Sequence, residues 1–254
     1  MLINLTKRKH APHPSSAYDE KFFCQIGPGA LRSARAVAPL ILDLAPIRSV
    51  VDFGCADGCW LRAFQDLGVE DILGLDGNYV DRDRLLIDRH RFRDCDLASP
   101  VRLERNFDLA LSLEVAEHLP TRSSRDFVQS LVRAAPIVLF SAAIPGQGGT
   151  RHINEQWPEF WHKLFDASGY KCLDCLRGTI ITDPNVEWWY KQNIYLYVKS
   201  EEQVLERLCG VEGFSDLDII GTRILDRYKS SSGLTKRLVR TVARTIKNRM
   251  NGFH

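Results

Sequence analysis

Four ionisable side chains near the middle of the chain have the types and spacing for chemistry. Glu114, Glu117 and His118 fall within the run Glu-Val-Ala-Glu-His, and His152 follows in the next polar stretch. Carboxylates and imidazoles together suit a divalent metal such as Mg²⁺, Mn²⁺ or Zn²⁺. On a helical turn, the i, i+3, i+4 spacing of Glu114, Glu117 and His118 would place all three on one face, with His152 completing the set. The same residues can work without a metal. Histidine titrates near neutral pH, which makes His152 and His118 candidate general bases. Around His152 the chain reads Pro-Gly-Gln147-Gly-Gly-Thr-Arg-His152-Ile-Asn154-Glu-Gln-Trp157. Its glycines mark a loop, and Gln147, His152 itself, Asn154 and Trp157 are the groups on it suited to substrate.

A second set lies upstream. Val50 and Val51 end an apolar run, and Asp52 follows. Next come Gly54, Ala56 and Gly58, and then Leu61, Phe64 and Leu67 at helical spacing. This predicts a buried strand, a tight turn and a helix start, the place where an open α/β sheet binds a nucleotide-like ligand. The dinucleotide fingerprint needs a small residue three positions after its second glycine. Here the turn continues into Cys59 and Trp60, so it matches a pyrophosphate cradle poorly. A second strand ends at Asp76-Gly77. Asp76 lies 18 residues beyond Gly58, where an acid can accept from two ribose hydroxyls. A short strand then runs from Phe92 to Asp96-Leu97.

These stretches resemble the class I S-adenosylmethionine-dependent methyltransferases. Asp52-x-Gly54-x-Ala56-x-Gly58 resembles the family's first motif. The run from Phe107-Asp108 to Glu114-Val-Ala-Glu117-His118 resembles its fourth-strand motif. The resemblance implies a cofactor held by Asp52, Gly54, Cys55, Ala56 and Gly58, then Asp76 and Gly77. It adds Asp96 and Leu97 at the adenine, with Leu113 and Glu114 on the fourth strand. It implies an α/β Rossmann-like doubly wound sheet of seven strands, the last antiparallel, with helices on both faces. The alternation of strands and helices from 48 to 141 agrees. Closing strands are expected at Tyr170–Arg177 and Gln192–Val198, with the aromatic run Glu187-Trp-Trp-Tyr190 before the last. The expected reaction is O-methylation of a small polar acceptor, such as a sugar or natural-product precursor. Glu-x-x-Glu-His with a later histidine is also similar to the metal site of RNA 3′-terminal 2′-O-methyltransferases. A metal-dependent RNA 2′-O-methyltransferase is therefore one alternative, and an NAD-binding or non-catalytic Rossmann protein is another.

Composition bounds the rest. The chain has 254 residues, is 44% hydrophobic and carries a net charge of +2, so the whole molecule does not advertise nucleic-acid binding. Its start lacks the order of a signal peptide, and seven scattered cysteines fit reduced thiols in the cytoplasm. Cys172-x-x-Cys175 is a lone pair without a partner at zinc spacing. The expected organisation is a poorly ordered stretch over 1–17, a catalytic domain with a helical N-terminal cap over 18–200, and a basic helical extension over 201–254. In the extension Leu234, Leu238, Val242 and Ile246 recur every four residues among lysines and arginines. Such a helix suits an anionic membrane surface, a polyanion or its own domain, with peripheral contact through 234–250.

Overall fold

The computed structural model describes residues 20–200, and side chains from residue 27 onward. The expected N-terminal stretch 1–17 and the basic extension 201–254 lie outside the described residues. No helix among the described residues is long and apolar enough to cross a membrane.

One seven-stranded sheet organises the chain. Its strands are β1 (Ser49–Phe53), β2 (Asp71–Asp76), β3 (Phe92–Asp94), β4 (Leu109–Leu113), β5 (Ile137–Ser141), β6 (Tyr170–Leu173) and β7 (Tyr195–Lys199). They lie in the order β3-β2-β1-β4-β5-β7-β6. β7 runs antiparallel to both β5 and β6, and every other pairing is parallel. The expected topology, with the last strand reversed, is the observed one.

The central strands are apolar on both faces because helices cover both faces. On β5, Ile137 and Leu139 enter one core, while Val138 and Phe140 enter the other. The first core takes α1 (Glu20–Leu44) and α2 (Cys59–Asp66) through Ala34, Val37, Leu61 and Phe64. The second takes α3 (Ser124–Ala134) and α4 (Pro158–Asp166) through Phe127, Leu131, Trp161 and Phe165. Ser123 precedes α3 but does not cap it; its hydroxyl donates to the Pro120 carbonyl instead.

The closing strands are shorter than the spacing predicts. β6 stops at Leu173 and β7 begins only at Tyr195. Between them lie two short helices, α5 (Arg177–Ile180) and α6 (Trp188–Asn193). Arg177 explains the interruption. Its side chain is fully buried, pairs with Asp174, donates to the Gln192 carbonyl at 3.0 Å and lies 4.4 Å over the Tyr195 ring. A buried guanidinium needs partners from several directions, and an extended strand at a sheet edge cannot supply them.

Candidate active site

The glycine turn is built as a cradle. Gly54, Ala56 and Gly58 all take left-handed φ values, of 96°, 49° and 83°. A Cβ at Gly54 would come within 2.3 Å of Val115, and one at Gly58 within 3.1 Å of Ile87. The small residues are thus required by backbone shape and by close approach together. Asp76, at the end of the neighbouring strand, locks the turn. Its Oδ2 accepts from the Ala56 N–H at 2.8 Å. Its Oδ1 accepts from the Gly77 N–H at 2.7 Å and from the Tyr79 hydroxyl at 2.5 Å. Burial pushes the Asp76 carboxyl up, against the pull of those three donors. Asp52, buried beneath the same turn, is pushed up to about 8 by burial and by the adjacent Asp76. Cys55 is buried with its sulfur against Gly74. Cys59 packs its sulfur 3.3 Å from the Gly27 carbonyl of α1, so the N-terminal helix abuts the turn.

Asp96 and Leu97 follow the third strand. Leu97 is buried, but Asp96 is exposed and accepts from the Ala98 N–H and the Ser99 hydroxyl within its own turn.

Beyond β4 the structure departs from a single helical turn. Leu113 ends the strand, and Glu114 takes a left-handed φ of 57°. Only Ala116–His118 forms a turn of 3₁₀-helix. Glu114 therefore does not share a helical face with Glu117 and His118, and the expected set of four ligands is corrected to three whose ligand atoms gather. Glu117, His118 and His152 each offer a ligand atom, all within 4.8 Å of one another. Both carboxylate oxygens of Glu117 are buried without a hydrogen-bond partner. Burial and then Glu114 push this carboxyl well above the usual range; the nearby Glu117 and Ala143 backbone pulls the other way without closing a hydrogen bond. Burial and then His152 bring His118 down to about 4. The two rings meet edge to face with centroids 4.9 Å apart. One carboxylate and two imidazoles form a donor set that fits a transition metal or zinc, and the orphaned Glu117 oxygens suit such a ligand. Cys172 and Cys175 belong to no such group among the described residues.

His152 has a partner that its residue type alone does not reveal. Glu155 Oε1 lies 2.9 Å from His152 Nδ1, and the same carboxylate accepts from the Gly146 and Gly148 N–H groups. A carboxylate against Nδ1 holds the proton there and leaves Nε2 as the basic nitrogen. Gly149 makes room for that edge: a Cβ would stand 2.2 Å from Nε2. Glu155, three residues after His152, could have been found by that spacing.

The candidate substrate residues separate. Asn154 is buried and fully engaged. It donates to the Ala116 carbonyl and the Ser124 hydroxyl, and accepts from Thr121 and Gln156. It braces the loop against the β4 turn and has no group left for a substrate. Trp157 is half-buried and leads into α4. Gln147 is buried and donates to Glu114 Oε2 at 2.8 Å, while Asn193 donates to Glu114 Oε1 at 3.0 Å. Gln192 and Asn193 both donate to Gln147 Oε1. These two amides carry no spacing signal, because they were expected to lie in a strand. The aromatic run opens α6. Tyr190 packs on Trp60 at 5.3 Å and accepts from its indole N–H at 3.4 Å, which ties α6 to the turn.

A family model described as a methyltransferase domain matches residues 29–174. No curated protein matches the chain. Among solved structures, a sugar N-methyltransferase from Streptoalloteichus is 15% identical with a TM-score of 0.57, covering 79% of this chain and 99% of its own. DesVI from Streptomyces venezuelae is 16% identical with a TM-score of 0.54, covering 74% and 99%. A calicheamicin-pathway amino pentose methyltransferase from Micromonospora echinaspora, solved with S-adenosylmethionine bound, is 15% identical with a TM-score of 0.53, covering 75% and 100%.

Proposed function

Because the chain belongs to the methyltransferase-domain family and takes S-adenosylmethionine as its cofactor, we propose that it methylates a hydroxyl of a small polar acceptor, a sugar or natural-product precursor. The glycine turn and Asp76 fit the cofactor: a tight turn of left-handed backbone, beside an acid whose Oδ2 accepts from a single protein donor and can take a ribose hydroxyl as well. S-adenosylmethionine supplies a methyl group activated on sulfonium. The chain's part is to align the acceptor and take up its proton, and alignment alone can contribute about 7–11 kcal/mol.

The observation that carries the proposal is the His152–Glu155 pair. A neutral amine can itself attack the methyl carbon; a hydroxyl gains from a base that takes its proton, and His152 Nε2 is the nitrogen left for that role. Half-buried Trp188 and Trp189, at the start of α6, favour a ring acceptor. The sugar methyltransferases among the structural neighbours are in keeping with that class, although one of them acts on nitrogen. The free state of the five described cysteines supports a reducing compartment such as the cytoplasm.

A second reading rests on Glu117. If a divalent metal is used, Glu117, His118 and His152 would hold it, and it would lower the pKa of an acceptor oxygen. The test is a methyl-transfer assay with labelled S-adenosylmethionine against sugars, phenols and amino sugars, with and without chelator. Transfer to a hydroxyl that survives chelation supports His152 as base. Transfer that vanishes and returns with metal supports the second reading, and transfer to amines alone overturns the hydroxyl.

A further inference from the structure

We infer that the Glu114 carboxylate is the counter-charge for the sulfonium of S-adenosylmethionine, so that the site holds the charged donor more tightly than the neutral product. The inference rests on the cofactor and not on the acceptor.

Three observations carry it. The first is place. Asp76 on β2 and Glu114 on β4 flank the β1 turn on its two sides. A cofactor whose ribose meets Asp76 and whose remainder crosses the turn would reach β4. Val115, next to Glu114, packs on Gly54 itself.

The second is charge. The described ion pairs do not include Glu114. Its oxygens accept from neutral amides, Gln147 and Asn193. Burial pushes this carboxyl up, while the Asn193 and Gln147 amides, then Ser141 and His152, pull the other way, so a cation bound beside it would favour its charged form. That is a suitable arrangement beside a cationic ligand.

The third is strain. Glu114 holds a left-handed backbone, and its N–H is fixed to the Ser141 carbonyl at 3.0 Å and to the Ser141 hydroxyl at 3.1 Å. Elements from three parts of the chain thus over-determine one unfavourable conformation. Such strain collects at functional positions. The amides come from the loop after β5 and from the end of α6, so they position Glu114 from the acceptor side.

The experiment is calorimetric titration of wild-type protein and Glu114→Gln with S-adenosylmethionine, S-adenosylhomocysteine and sinefungin, whose amine replaces the sulfonium and is protonated at neutral pH. Glu114→Gln should weaken S-adenosylmethionine and sinefungin about 10-fold and S-adenosylhomocysteine less than about 2-fold. Unchanged product binding also shows that the variant is folded. An equal loss for all three would move Glu114 to the shared ammonium group and overturn the inference, as would no loss. If the variant fails to fold, the wild-type ranking decides: product binding as tight as both charged ligands overturns it. Absence of any binding would instead sink the cofactor assignment.

Discussion

The two sides of β1 and β4 solve different problems. On the β1–β3 side the polar groups are closed on one another: Asp76 already accepts from Ala56, Gly77 and Tyr79. On the β4–β7 side buried groups are left open, most plainly both oxygens of Glu117. A rigid, satisfied cradle suits a cofactor of fixed shape. An assembly with unmet hydrogen-bonding capacity suits a partner that must arrive, and buried polar atoms are rarely left unmet without a reason.

The largest effect should come from His152→Ala. A positioned base contributes about 10²–10⁴-fold, so turnover should fall by that amount while S-adenosylhomocysteine affinity stays put. If cofactor affinity fell as well, the two halves would not be separable. Arg177→Met tests whether the excursion between β6 and β7 is one piece with the domain. Removing one member of a buried ion pair costs about 3–5 kcal/mol, which for a domain of this size lowers the melting temperature by about 6–20 °C. An unchanged melting curve would show that α5 and α6 are dispensable for stability. Asp76→Asn should weaken S-adenosylhomocysteine by about 10–100-fold, the value of hydrogen bonds to a charged group. A milder effect would take Asp76 out of the ribose site.

The last effect is one of pH. Folded Asp52 keeps its proton up to about 8, whereas in the unfolded chain it ionises near 3.8. The unfolded state therefore releases a proton that the folded state retains, and stability falls as pH rises through that window. Asp52→Asn removes this slope. Its melting temperature should gain steadily on the wild type between pH 5 and pH 8; parallel curves would show that Asp52 is ionised in the fold.

The two sides also differ in how far the sequence reveals them. The turn is local: strand, glycines and acid follow one another, and β-branched residues before Gly54 with an acid 18 positions after Gly58 state the geometry almost directly. The β4–β7 side is assembled from afar. Glu114 meets Asn193 across 79 positions, and Trp60 meets Tyr190 across 130. No periodicity encodes such meetings. Helical spacing holds for Glu117 and His118 but not for Glu114, whose left-handed backbone precedes the turn, so only the first two gather with His152. Asn154 shows the same limit from the other side: its residue type suits a substrate, but its four partners are all protein.

The reversed strand has a consequence for how the molecule is made. β6 touches the sheet only through β7, and β7 is the last strand of the described chain. On the ribosome, the β1–β4 half can pair as it emerges, but β5 keeps a bare edge until residue 199 has been synthesised. The Asn193 amide that holds Glu114, and the Gln192 amide that holds Gln147, are therefore added only as that last edge is covered.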